Sequence, residues 1–475
     1  MNVILIISDT FRRDHLGCYG NDWIRTPNLD RLAASSFVFE NAWTANFPTL
    51  PNRYDVMTGR FGFIEYDWSP LPRDVTVLQE VLSQAGYLTM MIADTPHILQ
   101  RGAYFQRGFD GFIWVRGQEN DHYATQPREV KLPCDPSKLR NPDYTMVHYM
   151  RNVAKRQREE DYFPAMTMRE AAAWLEENRN DRFFLYVDTF DPHEPWDPPK
   201  WYVDLYDPGY KGEEVIYPRY APADFLTRRE LKHCRALYAG ECSLVDTWVG
   251  FLLRRVEELG LADNTAIIFT TDHGFYIGEH GLIGKSLIWP GGHANCQLYS
   301  EVARIPLIIH LPGQAKGRRI RQYVQPPDLA PTILDLLGVE IPDTMQGMSL
   351  LPLMEGRSRR TRPLTITTPS LAHDPNAGIP TTITMGEWAL VYHGSPDAPL
   401  VRHLTAAVDH VERPAKLPTD AVPPPELYNL REDPNMTRNV IRKHRDVAER
   451  IHAAHVRFLR KLGMPDEYLQ HRTKL

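Results

Sequence analysis

The chain has 475 residues, 43% of them hydrophobic and 24% charged, with a formal net charge of −6. That length buries a sizeable core and suits one large domain plus a smaller one, and the mixed, mildly acidic balance argues against a nucleic-acid binder. The five cysteines (Cys18, Cys134, Cys234, Cys242, Cys296) are scattered and form no CxxC. They fit neither a disulfide framework nor a thiolate zinc site, and point to a reducing, cytoplasmic setting.

The start, MNVILIISDTFRRDHLG, carries no basic residues ahead of its apolar run. At about six residues that run is too short for a signal peptide or a membrane span, so Val3–Ile7 reads as a buried strand. Leu29–Ala34 reads as a helical turn after TPN. The loop TANFPTLPNRYDVMTGR, residues 44–60, places a hydroxyl between two prolines and leads into a short helical pattern. Val77–Ala85 is an amphipathic helix, followed by GYLTMMIA as a second buried strand. TMREAAAWLEENR suggests a capping box of Thr167 with Glu170 and then a helix, leading to a third strand, RFFLYVDTF. A long helical pattern from Arg228 to Leu259 stops at Gly260, before NTAIIFTTDHG, the fourth strand; RIPLIIHLP is the fifth. This alternation predicts an α/β three-layer sandwich with a large, mostly parallel central sheet.

Past Arg362 the pattern changes. TTITMGEWALVYHG reads as an antiparallel hairpin, Leu417–Pro425 as a Pro-rich loop, and HRDVAERIHAAHVRFLRKLG as a basic amphipathic helix with a solvated face. The expected organisation is therefore a catalytic α/β domain over 1–362 and a small α+β domain with an antiparallel sheet over 363–475.

Ligand sites in parallel sheets sit at the carboxyl ends of strands. Strand one ends in Ser8-Asp9-Thr10, strand three in DTFDPHEPWDPP with Asp188, Asp191 and His193, and strand four in Thr271-Asp272-His273-Gly274. Carboxylates and imidazoles gathered on one sheet edge make a metal site.

At these residues the sequence resembles the sulfatase branch of the alkaline phosphatase superfamily. NVILIISDTFRRDHLGCYGN, TPNLDRLAASSFVFENAW, PNRYDVMTGR, VDTWVGFLLRRVEELGLADNTAIIFTTDHGFYIGEHGLIGK, DLAPTILDLLGVEIPDTMQGMSLLPLMEG and ELYNLREDPNMTRNV are similar, in that order, to the family's signatures. The resemblance implies Asp9, Asp272 and His273 as metal ligands. It puts Thr49 at the nucleophile position, where it would also meet the metal, and Arg53 as the arginine that orients it. His193 would stand near the leaving oxygen and Lys285 on the anionic group, with His280 between the last ligand and that lysine. Asp94 falls where a substrate-binding lysine is expected, and His97 and His293 are further substrate-side candidates.

The departures shape the chemistry. The family's usual cysteine or serine, the precursor of formylglycine, is Thr49 here, and Asn52 replaces a serine. Thr10 replaces a further metal ligand. Thr49 cannot become an aldehyde, so its hydroxyl would have to attack directly, activated by a divalent cation. Threonine nucleophiles elsewhere in this superfamily act on phosphorus. The resemblance therefore implies a hydrolase of phosphodiesters or phosphonate monoesters through a Thr49 ester. The alternatives are a sulfatase lacking formylglycine and a catalytically silent anion-binding homologue. An Asp-His pair suits manganese, zinc or iron better than calcium. A second metal on Asp188, Asp191 and His193 is the weaker option. The expected partner is a small anionic ester, with no nucleic acid or membrane, and a homo-oligomer is allowed. Each residue also has a plainer role: Thr49 fits a helix N-cap with Pro51 in the first turn, His193 and Lys285 a polar loop, and Trp68, Tyr276 and Trp289 the core rather than a pocket wall.

Overall fold

The computed structural model describes residues 1–289, 292–359, 362–372, 378–398 and 422–475. Eight strands form the central sheet: β1 (Asn2–Ser8), β2 (Phe37–Ala42), β3 (Leu88–Ala93), β4 (Gly111–Trp114), β5 (Phe183–Thr189), β6 (Thr265–Thr270), β7 (Leu307–His310) and β8 (Arg318–Val324). Their order is β8-β2-β7-β6-β1-β5-β3-β4. All run parallel except β7, which is antiparallel to both of its neighbours. β1 is central and buried along its whole length, which is why it reads as a continuous apolar run rather than an alternating one.

The pleat divides that run between two layers. Ile4 and Ile6 face one core, with residues of the helices α2 (Phe163–Glu177) and α3 (Arg228–Glu258). Val3, Leu5 and Ile7 face the other, with α1 (Thr49–Thr58) and α4 (Leu329–Leu337). The three-layer expectation holds. One local reading does not: Thr167 caps nothing. α2 begins at Phe163 with Pro164 in its first turn, so Thr167 lies inside the helix and donates its hydroxyl to Asp94 at 2.6 Å. The capping box belongs instead to α3, where Thr227 and Glu230 exchange side-chain and backbone bonds.

A second sheet is built from β9 (Thr365–Pro369), β10 (Thr381–Met385), β11 (Trp388–Tyr392) and β12 (Glu426–Asn429). The predicted hairpin is β10–β11, antiparallel in register. The two-residue strand Asn46–Phe47 pairs parallel to β9, tying the loop that precedes Thr49 to this sheet. Residues 417–421 of the Pro-rich segment lie outside the described residues. Among the described residues no helix is long and apolar enough to cross a membrane.

The last long helix, α5 (Arg445–Lys461), buries Val447, Ile451, His455 and Leu459. His455 is fully buried with neither ring nitrogen hydrogen-bonded, and burial holds its pKa well below the usual value. Burial likewise pushes His393, just after β11, down to about 4. Both are neutral in the folded state, whereas the unfolded chain protonates near pH 6.5. Their contribution is therefore fully present above pH 6.5 and is lost as pH falls towards the folded values. We expect a destabilisation of about 1.4 kcal/mol per histidine per pH unit below 6.5. Urea unfolding at pH 7.5 and 5.5 checks this, and His455→Leu should flatten the slope by one proton; an unchanged slope would refute it.

Candidate active site

Adjacent parallel strands in register bring three acids level. β1 pairs with β6 (Ile7 opposite Thr270) and with β5 (Ile7 opposite Asp188). Asp9 and Asp272 therefore emerge side by side, two residues beyond Ile7 and Thr270, with Asp188 on the other flank. All three are buried.

Each metal-side carboxylate has one oxygen tied down and one facing inward. Asp9 Oδ1 accepts the Thr10 hydroxyl at 2.6 Å. Asp272 Oδ1 accepts the backbone N–H groups of Thr10 (2.9 Å) and His273 (2.8 Å). Thr10, with φ of 63°, thus serves as a clamp on both aspartates. Asp9 Oδ2 is buried without a hydrogen bond, although Arg53 Nη1 lies 3.1 Å away. His273 donates Nδ1–H to the Gly274 carbonyl at 2.9 Å, which leaves the Nε2 lone pair pointing inward. Ligand atoms of Asp9, Asp272 and His273 all lie within 4.8 Å of one another, the one such His/Cys/Asp/Glu group among the described residues.

The electrostatics fit a cation. Burial, then the neighbouring Asp272 charge, push the Asp9 carboxyl well up. At Asp272 the burial cost is outweighed by His273, Arg53 and Lys285, which hold its carboxyl low. Burial lowers His273 to about 3, so the imidazole is neutral and its Nε2 lone pair is available to a cation in exchange for the hydrogen bond from Lys285. An orphaned carboxylate oxygen, a second inward carboxylate and a neutral ring nitrogen are a donor set for a divalent ion.

Thr49 begins α1 and is 1% exposed. It is not the cap: the cap position is Pro48, and Thr49 makes no capping bond. Its side chain shares a helix face with Asn52 and Arg53, three and four residues on. Asn52 Nδ2 reaches the Asp272 carbonyl at 3.2 Å and the Thr44 hydroxyl at 3.1 Å. Arg53, fully buried, pairs bidentately with Asp188 (3.0 and 2.9 Å) and bonds Asp272 through Nη1. Phe47, two residues before Thr49, packs on the His273 ring at 4.9 Å.

On the far side, Lys285 Nζ lies 3.0 Å from His193 Nε2 and 3.2 Å from His273 Nε2. Both rings use Nδ1–H on a backbone carbonyl, so Lys285 donates to both. Burial, then Lys285, push His193 well below its usual pKa. Phe190 stacks on His193 at 4.0 Å. His97 packs edge-on to Phe190 at 5.6 Å, and Trp68, 47% exposed, packs edge-on to His97 at 5.4 Å. The file of rings runs from the buried site to solvent.

Other sequence candidates fall elsewhere. Asp94 is fully buried at the end of β3. Its oxygens accept Thr167, Thr189 (3.0 Å) and the Phe190 N–H, and burial raises it to about 7. It anchors the end of β3 to β5 and α2. Asp188 is occupied by Arg53, Thr95 and Tyr186, and Asp191 accepts Gln118 at 2.8 Å. These two do not converge with His193 into a second metal site. His280 turns to Glu301 (3.2 Å) and stacks on Tyr299 at 4.1 Å. His293 lies on Gly292–Asn295, the strand paired with Ser286–Trp289 just after Lys285. Tyr276 is core. What the sequence did not show is the role of Asp188 as the Arg53 partner, nor Glu194, Arg140 and Glu119 behind His193; the quoted DPHEPW contained Glu194 but gave no sign of its contacts.

Fold and site together define a hydrolase of the alkaline phosphatase superfamily. The Sulfatase family profile matches residues 1–339, and the chain belongs to that family. It is 27% identical to an arylsulfatase of Clostridium perfringens over 411 residues, covering 76% of this chain and 80% of the relative. It is 27% identical to human iduronate 2-sulfatase over 411 residues, covering 75% and 68%. Among solved structures, the phosphonate monoester hydrolase of Agrobacterium radiobacter shares the fold at a TM-score of 0.73 and 20% identity, covering 99% of this chain and 97% of that one.

Proposed function

We propose that the protein hydrolyses singly charged anionic esters, phosphodiesters or phosphonate monoesters first, through a covalent ester on Thr49. The observation that carries this reading is Thr49 itself: a buried hydroxyl on the first helical turn, in no side-chain hydrogen bond, on the face that sends Arg53 to the inward aspartates. A threonine cannot form the hydrated aldehyde, so its oxygen has to attack as an alcohol and water has to cleave the resulting ester. A phosphorus ester is resolved that way more readily than a sulfate ester.

Asp9, Asp272 and His273 would hold one divalent ion, with manganese, zinc or iron favoured over calcium by the imidazole. Bound there, the ion supplies Lewis acidity that acidifies an oxygen acid and offsets ester charge. The chain supplies the rest. The N-terminus of α1 presents its positive end to the anion. Arg53 is already shared among Asp9, Asp188 and Asp272, and Asp94 offers no cation, so Lys285 is the side chain left to face the substrate's negative charge. That supply suits a monoanion better than a dianionic monoester. His193 Nε2, beside Lys285, is placed to handle the leaving oxygen's proton. We also place the protein in a reducing, cytoplasmic compartment, on its five unpaired cysteines.

Sulfate ester hydrolysis on the same residues is the second reading, favoured by the arylsulfatase and iduronate 2-sulfatase relatives. Parallel assays on 4-nitrophenyl phenylphosphonate, bis(4-nitrophenyl) phosphate and 4-nitrophenyl sulfate separate them. We expect the phosphorus esters to be preferred by about tenfold or more in kcat/KM, and chelation to abolish turnover until manganese is restored. A preference for the sulfate reverses the order, and inactivity on all three indicates a silent anion-binding homologue.

A further inference from the structure

His193 sits in front of a buried carboxylate that the chemistry above leaves unused. Glu194 is fully buried. Its Oε1 accepts the Tyr220 hydroxyl at 2.5 Å and Arg140 at 2.7 Å. Arg140 is held between the rings of Tyr217 and Tyr220, 4.3 and 4.2 Å from their centroids, and also reaches Glu119 at 3.2 Å. The other oxygen, Oε2, has no hydrogen-bond donor and lies 3.2 Å from His193 Nδ1. That nitrogen bonds the Glu194 carbonyl at 2.7 Å.

An unsatisfied buried carboxylate oxygen costs about 1–3 kcal/mol or more. Such an orphan beside a catalytic imidazole is a negative charge that a protonated ring would offset. Two acceptors, the carbonyl and Oε2, face one Nδ1–H, so the ring's hydrogen stays on Nδ1 and the Nε2 lone pair accepts from Lys285. Trp196 fixes the loop, its indole N–H bonding the Pro192 carbonyl at 2.9 Å and its backbone N–H the Ile216 carbonyl at 2.8 Å.

Building on the proposed function, we infer that Glu194 is a positioning residue for His193: its carbonyl holds the Nδ1–H tautomer, and its free carboxylate oxygen balances the ring's charge whenever Nε2 carries the transferred proton. In the first step Thr49 Oγ bonds to phosphorus and its hydroxyl proton passes to His193 Nε2. The bond to the leaving oxygen breaks, and that oxygen keeps the electron pair and takes the proton from Nε2. In the second step water bonds to phosphorus and gives a proton to Nε2, and the Thr49 ester breaks, its oxygen keeping the electron pair and taking that proton. A carboxylate behind the ring, itself held by an arginine, does for this imidazole what an orienting acid does in other acid–base pairs.

The test uses the full-length, manganese-loaded enzyme and Glu194→Gln, which keeps shape and removes charge. On phenyl phenylphosphonate, a poor leaving group, kcat should fall about 10- to 100-fold. On 4-nitrophenyl phenylphosphonate, whose leaving group needs little protonation, the loss should stay under about threefold, with KM unchanged on both. An equal loss on the two esters, or none on either, overturns the inference. If the wild type turns over neither ester, the proposed function fails, and Glu194 is judged on the ring alone. In ¹H–¹⁵N spectra the His193 Nδ1-bound proton should lie downfield in the wild type and move upfield in Glu194→Gln; no movement overturns the inference. Should that variant not fold, Tyr220→Phe strips one donor from Oε1 and should move the same proton further downfield, and an unmoved signal again overturns it.

Discussion

Thr49→Ala is expected to lower kcat by about a thousandfold or more on any ester the enzyme accepts, with little loss of stability. The hydroxyl makes no capping bond and no side-chain hydrogen bond, so the fold loses only a methyl contact and a polar atom. A helix cap would behave in the opposite way, costing about 1 kcal/mol of stability and leaving the chemistry alone. Thr49→Ser keeps the nucleophilic atom and should stay within about tenfold of the wild type. Intact-mass spectrometry after rapid mixing with 4-nitrophenyl phenylphosphonate adds a direct readout: a phosphonyl adduct on the wild type and on Thr49→Ser, and none on Thr49→Ala. An alanine variant that keeps a tenth of the activity would mean that water or another side chain attacks, and the Thr49 ester would have to be abandoned.

Arg53→Met is expected to be the most destabilising single change in the site, at about 3–5 kcal/mol. The guanidinium is wholly buried and is the shared counter-ion of Asp9, Asp188 and Asp272. The three carboxylates raise its own pKa despite the burial. Methionine fills the volume, leaves Asp188 without its cation and leaves Asp9 and Asp272 with Lys285 alone. Arg53→Lys should recover only part of the loss, since an ammonium cannot form the two parallel bonds made to Asp188. The metal gives a second handle. A cation on Asp9 and Asp272 replaces part of the missing charge, and at a hundredfold excess over Kd adds about 2.7 kcal/mol. Manganese should therefore rescue Arg53→Met more than it stabilises the wild type, though not fully, because Asp188 stays bonded only to Thr95 and Tyr186. Urea unfolding with chelator and with manganese measures both effects. A loss below about 1 kcal/mol in chelator would show that the acids are held protonated rather than paired.

Much of this was legible in the chain. Val3–Ile7 and the strand before Asp272 are uninterrupted apolar runs, which a strand covered on both faces requires, and their ends pointed to the Asp9, Asp272 and His273 cluster. The long helix was fixed by its apolar period and by Gly260 after its last turn. β2, β4 and β8 escaped notice. β4 and β8 are edge strands, short or interrupted by arginines, and β2 carries polar residues, so none has a clear period. Thr167–Glu170 has the spacing of a capping box, but Pro164 set the helix start one turn earlier, and the hydroxyl was free to reach Asp94.

By itself, then, the sequence determined which side chains could ligate, attack or carry charge, and the strand ends that bear them, because residue type and periodicity are local properties. Only the tertiary structure decided how the acids were apportioned. Asp188 went to Arg53 rather than to a second metal, Asp94 to the β3–β5 junction, His280 to Glu301, and Glu194 to the back of His193. A buried carboxylate must find a partner, and which donor comes within 3 Å depends on strand register and helix packing across more than a hundred residues of chain.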